Sequence, residues 1–175
     1  TDFPDQYKRL YSVKEYTYNK ITQPNRNRLL WLDPNVDGMK TGHTDSAGFC
    51  LISSAKRGEH RLISVVLGAA NDNARATESQ KLLSYGYQFF DTHLVYKAGT
   101  AIAMQKIWKG SDSKVAATTF HDLYVTLPKG DYARAKAKVI GKPSLVAPIA
   151  QGQEIGTIQF TIDGKVVDEQ KLLAA

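Results

Sequence analysis

Two β-rich runs, Gly48 to Ala55 and His60 to Gly68, are separated by only four residues, Lys56-Arg57-Gly58-Glu59. A connection that short, with a glycine in it, turns the chain straight back, so the pair predicts an antiparallel hairpin. The turn signal Asp33-Pro34-Asn35 leads into Val36 to Thr41, a third strand expected beside the hairpin in one sheet. From Asn71 the pattern changes. Asn71 or Asp72 can cap a helix, and Leu82, Leu83, Gly86, Phe89 and Phe90 recur at helical spacing. A helix of about five turns laid on the sheet by that stripe is predicted. Nearer the start, Tyr11 to Tyr18 is β-prone, Asn19 to Arg28 reads as a polar loop, and Leu29-Leu30-Trp31-Leu32 is a short apolar run.

Beyond Asp91-Thr92-His93, read as a linker, the chain is all-β in pattern. Leu123, Val125 and Leu127 alternate with polar neighbours, as do Ala135, Ala137 and Val139, and then Ile158, Phe160 and Ile162. Asp163-Gly164 is a strong hairpin turn. The expected class is therefore α+β, with residues 1–90 as antiparallel strands plus a helix and 94–175 as a small all-β sandwich. Composition supports packed domains: 42% of the 175 residues are apolar. The single cysteine, Cys50, excludes an internal disulfide, and the longest apolar stretch, about Leu62 to Ala70, is too short for a membrane span. Thr1-Asp2-Phe3-Pro4 shows no signal-peptide pattern and is read as the middle of a longer protein.

Chemistry concentrates around Lys40-Thr41-Gly42, within the run NVDGMKTGHTDSAG. A strand-borne K-T-G is one of three pieces of a penicillin-recognising serine site, beside S-x-x-K and S-x-N. The S-x-x-K read here, Ser111 to Lys114, lies downstream in a polar loop, the wrong order and context, and no S-x-N occurs. The chain thus reads as one wall of a site whose nucleophile lies elsewhere. The Lys40 ammonium can hold a carboxylate and stabilise nearby charge. Thr41 adds a hydroxyl, and Gly42 lets a peptide approach the strand backbone. The backbone N–H of His43 can serve an oxyanion hole. Period-two alternation sends Lys40 and Thr41 to opposite faces, so both border one cleft only on an edge or a strongly twisted strand. Arg26 and Arg75 can each offer a guanidinium to an anion, with local ion pairing the plainer role for Arg75. Asp37 and Asp45, flanking the motif, read as strand-end or turn ligands, and His60 and His93 as surface histidines.

YSVKEYTYN, NRNRLLW, NVDGMKTGHTDSAG, RLISVVLGA, SYGYQFF, IWKGSDSKV, LYVTLPKG and IGTIQFTIDGK resemble the low-molecular-mass penicillin-binding proteins of the 5/6 type, across essentially the whole chain. The resemblance implies the C-terminal part of a transpeptidase-like, β-lactamase-like domain followed by a β domain. It implies a serine D-alanyl-D-alanine carboxypeptidase that trims peptidoglycan pentapeptides through an acyl-enzyme and is stalled by β-lactams. Lys40, Thr41, Gly42 and His43 would bind substrate, Lys40 also supporting proton transfer, with Arg26 and Arg75 near the site. Periplasmic location and inner-membrane attachment by a C-terminal amphipathic helix absent from this chain are implied too. So is partnership with an N-terminal portion carrying S-x-x-K and S-x-N.

The chain alone is expected to be inactive, and prone to instability or association. No cofactor or metal is expected, since the four histidines lack ligand spacing. Nor is a nucleic-acid partner, because the net charge of +6 is scattered. Two other readings stand: another S-x-x-K hydrolase such as a β-lactamase or esterase, which the trailing β domain argues against, and a non-catalytic module binding wall polymer or a partner protein.

Overall fold

The computed structural model describes residues 3–175 and divides into two units, Thr1–Phe90 and Asp91–Ala175. In the first, α1 (Pro4–Tyr11) precedes a two-stranded ribbon of β1 (Glu15–Tyr18) and β2 (Ile21–Pro24). A short helix α2 (Leu29–Leu32) leads to β3 (Val36–Thr44), β4 (Gly48–Arg57) and β5 (His60–Ala69), and then to α3 (Asp72–Phe89). The three long strands form one antiparallel sheet in the order β3-β4-β5, so the K-T-G strand lies at an edge.

Near the N-terminus two elements appear that the sequence reading did not place. Residues 4–11 are helical, with proline in the first turn, Asp5 near the N-terminus and Lys8 and Arg9 in the last turn. The loop expected at 19–28 begins instead as a hairpin. Asn19 and Lys20 both take positive φ, 48° and 62°, the pair of values that a type I′ turn demands. Thr17 and Thr22 then face each other with their hydroxyls 2.8 Å apart. Lys20 stands where glycine usually signals such a turn, which hid it.

Helix α3 starts where expected, with the Asn71 side chain accepting the Ala74 N–H at 2.8 Å. Its buried stripe is rotated from the expected one. Arg75, Ala76, Ser79, Leu83 and Tyr87 face the sheet, whereas Leu82 and Phe89 are about half exposed. Small residues are prominent on the buried face. A Cβ added at Gly86 would lie 2.5 Å from a Leu62 methyl carbon, so a larger residue there would require the Leu62 side chain to move. The core beneath is Leu29, Leu30, Val36, Leu51, Ala55, Ala76, Leu83 and Tyr87, with Leu62 against it.

In the second unit, residues 91–93 are not a linker but part of β6 (Phe90–Tyr96), which pairs with β9 (Leu123–Pro128); Thr92 and Thr126 meet hydroxyl to hydroxyl at 2.8 Å. The other strands are β7 (Ala103–Trp108), β8 (Lys114–Thr118), β10 (Lys136–Gly141), β11 (Leu145–Val146), β12 (Glu154–Ile162) and β13 (Lys165–Ala174). They form a six-stranded sheet in the order β10-β12-β13-β8-β7-β11, in which only the β11–β7 pair is parallel. Asp163 and Gly164, at φ 50° and 80°, make the expected turn between β12 and β13. Inward residues of the two sheets, including Leu123, Val125, Leu127, Ile155, Ile158, Phe160 and Leu172, share one apolar core. The exposed Lys136 and Lys138 on edge strand β10 discourage pairing with another chain.

Candidate active site

All six residues singled out by sequence, Arg26, Lys40, Thr41, Gly42, His43 and Arg75, line one groove of about 580 Å³ together with Phe49 and Asp72. The edge position of β3 makes this possible. Lys40 is exposed and Thr41 half-buried, yet both are reached from the unpaired side of the strand. Lys40 folds its Nζ back onto the Thr41 carbonyl, and Arg26 is exposed with no ion-pair partner among the described residues. Gly42 sits across from Cys50 in register, and a Cβ there would still be 3.8 Å from the Cys50 Cβ. The neighbours of Gly42 therefore do not require a glycine there.

Arg75 behaves differently from the other two cations. It is 3% exposed and donates to the carbonyls of Gly42 at 3.3 Å, Cys50 at 3.4 Å and Arg26 at 3.3 Å, and to the Asp72 carboxylate one helical turn earlier. A guanidinium buried without partners costs several kcal/mol, in order of magnitude. These bonds satisfy it and tie the loop at 26, the K-T-G strand and β4 to the start of α3. Arg75 thus fixes the wall, while Lys40 and Arg26 offer free charge to the groove.

Phe49 and Asp72 were not among the expected residues. His43 and Phe49 are cross-strand partners, their rings 3.9 Å apart and tilted by 36°, and the Arg75 guanidinium carbon lies 5.5 Å from the Phe49 ring centre. The signal for Phe49 was the hairpin register, which pairs 43 with 49 once the turn between β3 and β4 is placed. For Asp72 the signal was its spacing of three from Arg75, and the local ion pairing expected of Arg75 joins the two.

Asp37, at the start of β3, meets Arg61 at 2.9 Å and the Tyr7 hydroxyl at 3.3 Å. The hydrogen bond to Asp37 raises the Arg61 pKa above its ordinary value, and burial pushes the Tyr7 phenol up. Asp37 is thus a strand-end ligand. His60 packs edge-on to Tyr87 and His93 stacks on Tyr132, each with a ring partner.

A second S-x-x-K, Ser53 to Lys56, accompanies Ser111 to Lys114 and was missed in the sequence. Neither serine is among the residues that line this groove. Ser53 is fully buried on β4, its hydroxyl 2.6 Å from that of Ser64, and a strand sends residues three apart to opposite faces. Lys56 pairs instead with Glu59 at 3.4 Å. Ser111 lies in the other unit, in an exposed loop before β8.

Residues 1–71 match the family model of D-alanyl-D-alanine carboxypeptidase, and residues 90–175 match that of penicillin-binding protein 5, C-terminal domain. The chain is 45% identical over 174 residues to D-alanyl-D-alanine carboxypeptidase DacC of Escherichia coli (strain K12), covering 98% of this chain and 43% of that protein. It is 42% identical over 174 residues to DacA of the same strain, again covering 98% and 43%. The chain thus spans under half the length of these relatives. Among solved structures, penicillin-binding protein 5 from Haemophilus influenzae matches with a TM-score of 0.83 and 43% identity, over 99% of this chain and 51% of that one. A peptidoglycan synthesis regulatory factor (PBP3) from Streptococcus pneumoniae, at 21% identity and a TM-score of 0.72, shares the fold.

Proposed function

We propose, for a chain that belongs to the penicillin-binding protein 5/6 type, that its first unit is the K-T-G wall of a serine D-alanyl-D-alanine carboxypeptidase. The observation that carries this reading is the gathering of Lys40, Thr41, Gly42, His43, Arg26 and Arg75 around one groove on an edge strand. The substrate is a peptidoglycan pentapeptide, laid along the open side of β3. Its terminal carboxylate is held by the Lys40 ammonium and the Thr41 hydroxyl, with Arg26 adding positive charge at the same end.

Gly42 leaves the peptide room to reach the strand. The reacting serine comes from polypeptide outside this chain and attacks the penultimate carbonyl. The peptide bond to the terminal D-alanine breaks, that D-alanine leaves with a proton on its amine, and water then hydrolyses the acyl-enzyme to free the serine. The oxygen that becomes negative accepts the His43 backbone N–H, so the wall stabilises charge that develops only in the transition state. Lys40 supports the proton network of that serine. Arg75 makes its contribution at one remove, through the carbonyls of Gly42, Cys50 and Arg26 that it holds in place. A β-lactam, which presents a carboxylate and an acylating carbonyl in the same relation, forms an acyl-enzyme that persists. The setting is the periplasm, at the inner membrane.

Intact mass of the full-length polypeptide carrying this sequence, before and after exposure to a penicillin, tests the reading. The expected result is gain of the drug's mass, with acylation slowed by about a hundredfold or more in Lys40→Ala. The 175-residue chain by itself gains nothing. A full-length protein that takes up no penicillin, or a Lys40→Ala variant acylated at the normal rate, overturns it.

A further inference from the structure

Two acids flank the K-T-G run, and only one is tied down. Asp45 is exposed and has no ion-pair partner among the described residues. Asp37, three residues before Lys40, is held from three sides. Arg61 on β5 meets both of its carboxylate oxygens at 2.9 Å and reaches Ser54 Oγ on β4 at 2.5 Å, so one guanidinium spans all three strands of the sheet. The Tyr7 hydroxyl of α1 donates to the same carboxylate at 3.3 Å, and the Ser12 hydroxyl donates to the Asp37 backbone carbonyl. Asp37 is also where β3 departs from regular pairing. Val36 stands opposite Ala55 and Gly38 opposite Ser54, which leaves Asp37 as the extra residue of a bulge. Helix α1 closes on the strand directly after it: Gly38 is buried, and a Cβ there would meet the Tyr7 phenol, 3.0 Å from its Cζ.

We infer that Asp37, clamped by Arg61, Tyr7 and Ser12, is a positioning residue for the reaction, fixing through its bulge where Lys40, Thr41 and the His43 N–H stand. The inference rests on the carboxypeptidase reading, which gives those groups their tasks. A bulge increases the local twist and re-aims the residues that follow it, and Lys40 comes only ~10 Å further along the strand. The tasks differ in how much displacement they tolerate. An ammonium on a flexible four-carbon stem can follow a carboxylate through a small shift of the strand, so binding of the substrate survives it. A backbone N–H cannot follow, and the oxyanion it serves forms only in the transition state. Misplacement by ~1 Å at such a point costs on the order of a hundredfold in rate. Loosening Asp37 therefore lowers the rate at saturation and leaves the affinity for substrate. A residue that only supported the fold would do otherwise, lowering the melting temperature while the folded protein turned over at its normal rate.

The test uses the full-length polypeptide carrying this sequence, with N,N′-diacetyl-L-Lys-D-Ala-D-Ala as substrate and release of D-alanine as the readout, well below the melting temperature of each variant. Asp37→Asn keeps the size of the side chain and removes its charge. It is expected to lower kcat by about tenfold, with KM changed by no more than about twofold. Tyr7→Phe deletes one hydroxyl and keeps the ring, and is expected to lower kcat by about threefold. Combined, the two lower it by less than the product of their separate effects, because both loosen the same carboxylate. Should Asp37→Asn fail to fold, Tyr7→Phe decides the matter. A kcat unchanged in either folded variant, or a rise in KM that accounts for the whole loss, overturns the positioning role and leaves the carboxypeptidase reading intact. No D-alanine from the unaltered protein overturns that reading, and the positioning role with it.

Discussion

The two units bury their apolar residues in different ways. In Asp91–Ala175 two sheets close on each other, and Ile155, Ile158 and Leu172 have no exposed surface at all. In Thr1–Phe90 one face of the sheet is covered, by α3 against Leu51 and Ala55, while on the other face Ile63, Val65 and Leu67 are 60%, 53% and 71% exposed. The interiors differ in kind as well. The second unit has an apolar core, whereas the sheet–helix interface of the first contains Ser53, Ser64, Ser79 and Arg75, all buried. A sheet must cover both apolar faces to stand in water. The second unit meets that condition within its own residues, and the first does not, which fits the proposal that the rest of its domain lies in polypeptide beyond this chain.

The largest consequence concerns independence. Expressed alone, residues 91–175 are expected to unfold in one cooperative transition. Residues 1–90, with their open β5 face, are expected to bind an apolar dye and to self-associate in sedimentation. A monomeric 1–90 with a cooperative melt and no dye binding would erase the contrast.

At the level of single side chains the contrast sharpens. Ile158→Ala empties a fully buried site and is expected to cost about 2–5 kcal/mol in the urea unfolding of 91–175. Val65→Ala on the open face of β5 is expected to change the stability of the 175-residue chain by about 0.5 kcal/mol or less. A loss at Val65 as large as that at Ile158 would mean that the β5 face is covered in solution.

The same division governs what could be read from the sequence. Where burial follows strict alternation, the pattern was plain: Ile158, Phe160 and Ile162 point inward on β12 as expected, and Asp163-Gly164 turns the chain. The three-stranded sheet and the Asn71 cap of the helix were legible for similar local reasons. Legibility failed where tertiary approach outweighed hydrophobic pattern. Helix α3 turns Ala76 and Ser79, not Leu82 and Phe89, toward the sheet, with Gly86 close against the Leu62 side chain. Thr92 looked like linker and pairs with Thr126 instead. In the groove, K-T-G announced itself through residue type and spacing, but the clamp of Arg75 on three carbonyls depends on distant segments that no local pattern joins.

The buried hydroxyls of the first unit offer a smaller effect. Ser53→Ala leaves the Ser64 hydroxyl buried without its 2.6 Å partner, at an expected cost of about 1–3 kcal/mol. Replacing both by alanine is expected to restore part of that loss, since no unpaired group then remains. Urea midpoints of the two variants in the 175-residue chain check it, and a double variant worse than the sum of its parts would show the pair to be more than a satisfied hydrogen bond.

Smallest is a difference in acid response. Asp33 is 5% exposed; burial pushes its carboxyl up, but hydrogen bonds from Gln80 at 3.0 Å and from the Asn35 backbone and side chain at 2.9 and 2.7 Å, with Arg57 at 4.0 Å, outweigh it and hold the pKa below the ordinary 3.8. A carboxylate whose pKa is lower folded than unfolded lends stability that is fully present above the unfolded value. It is lost as pH falls through the folded one. Glu154 in the second unit is lowered as well, chiefly by its hydrogen bonds with Lys171 and Lys142, but those groups are solvated and screened. Unfolding midpoints of the 175-residue chain measured between pH 6 and pH 3 should therefore drop toward the acid end. Asp33→Asn should flatten that limb, and Glu154→Gln should leave it nearly as steep. The opposite ranking would place the acid-sensitive contacts in the unit with the closed core, and the Asn35 and Gln80 hydrogen bonds at Asp33 would then contribute little to holding the open one together.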